Sequence, residues 1–186
     1  MTDPTQPRPV ACFGPEGYLT PGLHHWKVET LGFHFVEQMP RSRTRPEIWR
    51  GFGELRDCLV ALGLTAEQWI DGSFTTTKAD PNDLDVANFL DPDQVEGLPE
   101  SSRKLLKAYV SGPLTRHLCR CDSYFAVKVP EAHPLRAEFE KIHAYWLETF
   151  GTDRRDTPKG IVVTQCEPPP PPPPTTQNDE SAADAA

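Results

Sequence analysis

"WIDGSFTTTKADPNDLDVANFL" (69–90) is the stretch on which the reading of this chain turns. An apolar run ends in Gly72-Ser73, and after nine further residues Asp83 and Asp85 flank Leu84. "QWIDG" (68–72) is short, apolar and closed by glycine, which predicts a strand, and "LDVANFL" (84–90) predicts a second. If that second strand starts a residue or two early, Asp83 and Asp85 stand at i and i+2. Both carboxylates then emerge on one face while Leu84 points into the core. Two carboxylates one strand repeat apart supply hard oxygen ligands to Mg²⁺, which keeps its other positions for water and phosphate. Upstream, a Gly-Ser pair at a strand end frees backbone N–H groups, and Gly72 leaves room for a phosphate to approach them. The two halves are complementary, one for polyphosphate and one for the metal that bridges it.

Competing readings of the same residues are narrower. A Pro-Asn-Asp turn before a strand would use Asp83 only as a turn or cap residue. An EF-hand over "DPNDLDVANFLD" (80–91) fails, because Asp85 takes the sixth position where Gly is required, Leu84 the fifth and Asp91 the twelfth. No GxxxxGK[ST] phosphate loop occurs.

The flanks carry two amphipathic helices. In "TRPEIWRGFGELRDCLVALG" (44–63), Thr44 and Glu47 have capping-box spacing and Pro46 suits a first turn. Ile48, Phe52, Leu55, Leu59 and Leu62 form one stripe that Gly63 ends. Leu135, Phe139, Ile142, Trp146 and Phe150 form the second stripe, between Pro134 and Gly151. "SRKLLKAYV" (102–110) reads as a further helix, "SYFAVKV" (123–129) as a third strand and "KGIVVT" (159–164) as a fourth. This order predicts an α/β or α+β domain with a small mixed sheet flanked by helices.

The composition bounds the class. A length of 186 residues, 37% hydrophobic and 25% charged, suits one soluble domain. No run approaches the roughly 18 apolar residues of a membrane span, and the Pro-rich start lacks signal-peptide order, so a cytoplasmic protein with no membrane partner is expected. Residues 1–12 and the tail 167–186, with its seven prolines, read as disordered, leaving 13–166 as the folded domain. The tail is a spacer or a ligand for a proline-binding module. Its four acids account for half of the net charge of −8. A mildly acidic domain argues against duplex DNA as a partner. Five cysteines without a CxxC pair fit free thiols in a reducing compartment. "HLCRC" (117–121) lacks a second ligand pair at zinc spacing, so Cys119 and Cys121 read as buried small residues beside a strand.

Gly-Ser, nine residues and acid-apolar-acid together resemble the signature of the DNA polymerase beta-like nucleotidyltransferase superfamily. More closely, the span from "GYLTPGLHHW" (17–26) through the opening stretch and "CDSYFAVKV" (121–129) to "TPKGIVV" (157–163) resembles an uncharacterised bacterial family of small nucleotidyltransferase-like proteins. The resemblance implies a third carboxylate from a later strand, for which Asp122 is the candidate, so that Asp83, Asp85 and Asp122 are the expected catalytic and metal residues. It implies Mg²⁺ or Mn²⁺ as cofactor and a nucleoside triphosphate as substrate. Gly72 and Ser73 would hold its phosphates, with Lys78 and Lys159 as further phosphate candidates against a default of solvated lysines. The implied reaction moves an NMP to a hydroxyl on a protein, an RNA end or a small molecule, within a toxin–antitoxin or phage-defence pair. The alternative is a catalytically silent domain of the same fold that binds a partner protein. An antibiotic-modifying relative would bring a further helical domain, for which about 150 ordered residues leave little room. Asp91 and Asp93 follow the acid pair too closely to return on another strand. Arg41, Arg43 and Arg45 in "RSRTR" form a dense basic run, expected to be a solvated helix entry or a site for an acidic partner or nucleotide.

Overall fold

A computed structural model describes residues 10–170. Its centre is the antiparallel pair that the opening stretch encodes. β2 (Ala66–Asp71) runs into Gly72, and β3 (Leu84–Leu90) returns beside it. β5 (Cys121–Val127) pairs parallel to β3, and β6 (Gly160–Cys166) pairs antiparallel to β2. Two short strands the periodicity did not announce, β1 (Gly22–His25) and β4 (Ser111–Gly112), complete a six-stranded mixed sheet in the order β1-β6-β2-β3-β5-β4. Both are too short for two-residue alternation to register, and pairing with a longer neighbour is what makes them strands.

Six α-helices lie among the described residues. α1 (Val28–Gly32) runs on into a π-helical turn, Phe33–Glu37. α2 (Arg45–Ala61) buries Ile48, Phe52, Leu55 and Leu59 as its stripe predicts. Its start differs from the expected capping box. Thr44 makes no side-chain cap, Ser42 Oγ accepts the Arg45 N–H at 3.2 Å, and Glu47 turns outward to Arg120 at 2.9 Å. α3 (Pro92–Glu96) is capped by Asp91, α4 is Glu100–Tyr109, α5 is Arg116–Cys119 and α6 is Arg136–Gly151. Leu135, expected on the α6 stripe, precedes that helix and is exposed, while Trp146 and Phe150 are buried. No helix among the described residues is long and apolar enough to cross a membrane.

The register sorts the sheet into two faces. Ile70, Leu84, Val86, Cys121 and Val162 pack under α1 and α2, whereas Trp69, Ala87, Phe89, Ala126 and Val163 pack under α6. Each such fully buried large side chain contributes about 2 kcal/mol relative to exposure. The α2 face also carries a buried polar ladder. Gln68 Nε2 donates to Asn88 Oδ1 at 2.8 Å, and Asn88 Nδ2 donates to Ser123 Oγ at 3.0 Å. Pairing keeps these buried groups from the penalty of lost hydration. The folded part reaches back to Ala11, which packs on the core, and Cys12, whose carbonyl accepts the Thr20 N–H at 3.0 Å. The tail reading falls outside the described residues beyond 170.

Candidate functional site

β2 and β3 place Asp71 opposite Asp85, and the parallel β3–β5 pairing places Asp85 opposite Asp122. Residues opposite one another share a face. Three carboxylates from three adjacent strands therefore stand in one row at one end of the sheet. Asp83, two residues before Asp85, adds a fourth just outside the row. The row lies on the α6 face, since Trp69, Ala87 and Tyr124, each two residues further into its strand, form the next row beneath that helix. Asp71, Asp83 and Asp85 line a cleft of about 1030 Å³ that also includes Gly72, Ser73, Lys78 and Arg116, and Asp122 lies beside it under the Arg116 guanidinium.

Gly72 has φ +81°, and a Cβ there would lie 1.9 Å from Asp85 Oδ2. The missing side chain thus makes room for the carboxylate of Asp85, in place of the phosphate clearance expected from sequence. Ser73 opens a 3₁₀ turn, Ser73–Thr75, and the Thr75 and Thr76 hydroxyls donate to the Gly72 and Ser73 carbonyls at 3.2 and 2.9 Å. The Ser73 hydroxyl itself has no hydrogen-bond partner among the described residues.

The wall above this turn is shaped by Arg45. Far from a solvated helix entry, it is fully buried, and its guanidinium donates to the carbonyls of Phe35, Phe74, Thr76 and Lys78 at 2.6 to 3.0 Å. Three of those carbonyls belong to the loop after Gly72-Ser73, so one side chain sets the course of residues 74–78. Arg41 and Arg43 are exposed, and Arg43 pairs with Asp80 at 3.2 Å.

Charge is crowded here. Burial, reinforced by Asp83, Asp71 and Asp122, pushes Asp85 up to about 7. No hydrogen bond or ion pair reaches its carboxylate from the described residues. Burial also pushes Asp71 to about 6, with Lys159 opposing. Lys159 donates to Asp71 Oδ2, while Asp71 Oδ1 is buried without a hydrogen-bond partner among the described residues. Lys159, expected as a phosphate ligand, is thus the counter-charge of a buried carboxylate on the cleft floor. Burial raises Asp83 as well, and Arg116 opposes that rise. Lys78 is exposed on the rim.

Asp122 is buried inside β5 and not at a solvated strand edge. Arg116 of α5 grips it through Nε to Oδ1 at 2.8 Å and reaches Asp83 Oδ2 at 2.9 Å. α5 is held close because Gly51 lacks a side chain, where a Cβ would meet the Cys119 carbonyl at 2.1 Å. Buried Thr115 accepts the Ser123 N–H at 3.0 Å and ties the same turn to β5. Cys119 and Cys121 are buried core residues, as their spacing predicted.

Among the described residues no group of three or more His, Cys, Asp or Glu side chains stands ready to hold a metal ion. The guanidinium of Arg116 lies across Asp83 and Asp122 instead. The donor chemistry nonetheless fits a hard divalent cation, for the row offers only carboxylate oxygens, and Asp85 is unpartnered and held high by burial and by the neighbouring acids Asp83, Asp71 and Asp122.

Of the residues the sequence singled out, Asp83, Asp85, Gly72 and Ser73 line this cleft, and Asp122 stands opposite Asp85 beside it. Sequence reading missed Asp71, Arg116 and Arg45. Asp71 alone had a legible signal, as an acid two residues after Trp69 at the end of an apolar strand.

Fold and cleft together define a mixed α/β protein with an acidic cleft at one end of its sheet. The chain belongs to DUF6932, a family of unknown function whose model matches residues 11–165. Comparison with curated proteins and with solved structures finds no match.

Proposed function

We propose that this protein is a metal-dependent nucleotidyltransferase with a polymerase beta-like fold, transferring an NMP from an NTP to a hydroxyl. The observation that carries the reading is the register that lines up Asp85 and Asp122 beside Asp83, next to the Gly72-Ser73 turn. A third carboxylate from a later strand is what the resemblance calls for, and Asp122 of β5 stands opposite Asp85. Asp83, Asp85 and Asp122 would hold Mg²⁺ or Mn²⁺, which supplies neutralisation of the triphosphate and acidification of the acceptor hydroxyl. The unpartnered Ser73 hydroxyl and the first amides of its turn receive the β- and γ-phosphates, and Lys78 on the rim adds a positive charge. Arg116 turns away from Asp122 to open the row, and Asp122 takes the proton of the acceptor hydroxyl. The acceptor oxygen bonds to the α-phosphorus as the bond to the bridging oxygen breaks, and pyrophosphate leaves with that electron pair. The acceptor is a hydroxyl of a protein, an RNA end or a small molecule, with the toxin–antitoxin or phage-defence setting resting on resemblance alone.

A second reading, a silent domain of this fold that binds a partner protein, draws on Arg116, whose guanidinium neutralises two of the acids without a metal. Incubating the full-length protein with each α-labelled NTP and Mg²⁺ or Mn²⁺ in host lysate, beside the Asp83→Ala, Asp85→Ala double variant, separates the two. Label on a discrete protein, RNA or small-molecule product with wild type alone supports transfer. Absence of both label and metal-dependent NTP binding supports the silent domain.

A further inference from the structure

Aromatic residues also line the same cleft. Tyr124 lies two residues beyond Asp122 on the same face of β5, roughly 7 Å along the strand. Its ring packs against Trp146 of α6 at 5.0 Å between centroids, and Tyr145 meets Trp146 edge-on at 5.2 Å and 74°. Trp146 is buried, but Tyr145 is 59% exposed, and all three rings line the cleft. A large ring left open to solvent, braced from behind by a buried tryptophan and facing a polar cleft, has the form of a stacking platform. The same cleft is also lined by the phosphate-handling residues Gly72, Ser73 and Lys78 and by Asp71, Asp83 and Asp85.

We propose that Tyr145, backed by Trp146 and Tyr124, is the seat of a planar heteroaromatic ring, the base of the nucleotide. The assignment rests on the nucleotidyltransferase reading and adds to it the orientation of the substrate. The phosphates lie toward the Gly72-Ser73 turn and the base toward α6. Stacking on a tyrosine face accepts any base, because every base has a π-face. Selectivity among the four nucleotides at this seat is therefore modest.

Calorimetric titration of the full chain with ATP and, separately, with inorganic tripolyphosphate, both in Mg²⁺, tests it on wild type, Tyr145→Ala and Tyr145→Phe. Tyr145 is exposed, so neither substitution opens the core, and the thermal midpoint of each variant checks this. The expected result is a loss of about tenfold in ATP affinity for Tyr145→Ala, within the range of base–aromatic stacking. Tripolyphosphate affinity stays within about twofold, and Tyr145→Phe binds ATP as wild type does. Equal losses for ATP and tripolyphosphate, or no loss for either, overturn the base seat while leaving the phosphate site standing. Failure of wild type to bind both ligands overturns the nucleotidyltransferase reading, and this assignment falls with it.

Discussion

Replacing Asp85 by Asn should make the protein more stable and less active at once. Asp85 is buried among Asp71, Asp83 and Asp122, and its pKa rises from an ordinary 3.8 to about 7. At about 1.4 kcal/mol per pH unit, ionising it in the folded protein costs on the order of 4 kcal/mol. An acid whose folded pKa exceeds its unfolded one binds its proton more tightly when folded. The cost is absent below the unfolded value, near pH 4, grows as pH rises and is complete above about 7. Asp71, raised to about 6, acts in the same direction. Urea unfolding of wild type, followed by tryptophan fluorescence, should therefore show stability falling between about pH 4 and pH 7. Asp85→Asn should exceed wild type by a few kcal/mol at about pH 8 and converge on it near pH 4, while transferring no label. A divalent cation should stabilise wild type at the higher pH and leave the variant unchanged. A wild-type profile flat across that window, or a variant weaker than wild type at about pH 8, would refute the charge-crowding argument.

Arg45→Met should lose about 3 to 5 kcal/mol in the same assay, because it strands four carbonyls around a vacated cationic site, and Arg45→Lys should recover part of it. A loss below about 1 kcal/mol would mean that the loop after Ser73 holds its course unaided. Lys159→Met leaves Asp71 buried without its counter-charge and should also lose about 3 to 5 kcal/mol at neutral pH, with much of it restored by adding Asp71→Asn. Restoration is read from urea midpoints, and additive losses would contradict the pairing. Arg116→Ala removes the cation that spans Asp83 and Asp122, so Mn²⁺ should bind several-fold more tightly by calorimetry. Weaker Mn²⁺ binding would assign Arg116 to holding the acids in place.

Much of the site was legible because its parts are local. Asp83 and Asp85 are readable within one short segment, although β3 starts at Leu84 and leaves Asp83 just before the strand. Gly72-Ser73 likewise announces a turn through backbone freedom alone. The stripes of α2 and α6 follow from a period of 3.6 residues, which needs no knowledge of what they pack against. β1 and the π-helical turn after α1 had no comparable signal, since four or five residues carry too little pattern and take their form from the neighbours they touch.

Arg45 and Lys159 take partners that lie far away in the chain, which no local pattern shows. Arg45 sits in a basic run that looks solvated, and only the approach of loop 74–78 to the start of α2 converts it into a buried clamp. Lys159 was read toward phosphate, yet it meets Asp71 across 88 residues of chain separation.

The sequence by itself determined the acid pair, the Gly-Ser turn, the principal helices and most of the sheet, because each depends on spacing between near neighbours. The tertiary structure alone decided that Asp71, Asp85 and Asp122 form one row and that Arg116 spans two of the acids. It also decided that Tyr124, Tyr145 and Trp146 line the same cleft as the acids. Those facts depend on strand register and helix placement, which are set by the simultaneous packing of two cores on opposite faces of the sheet, and no local pattern encodes that outcome.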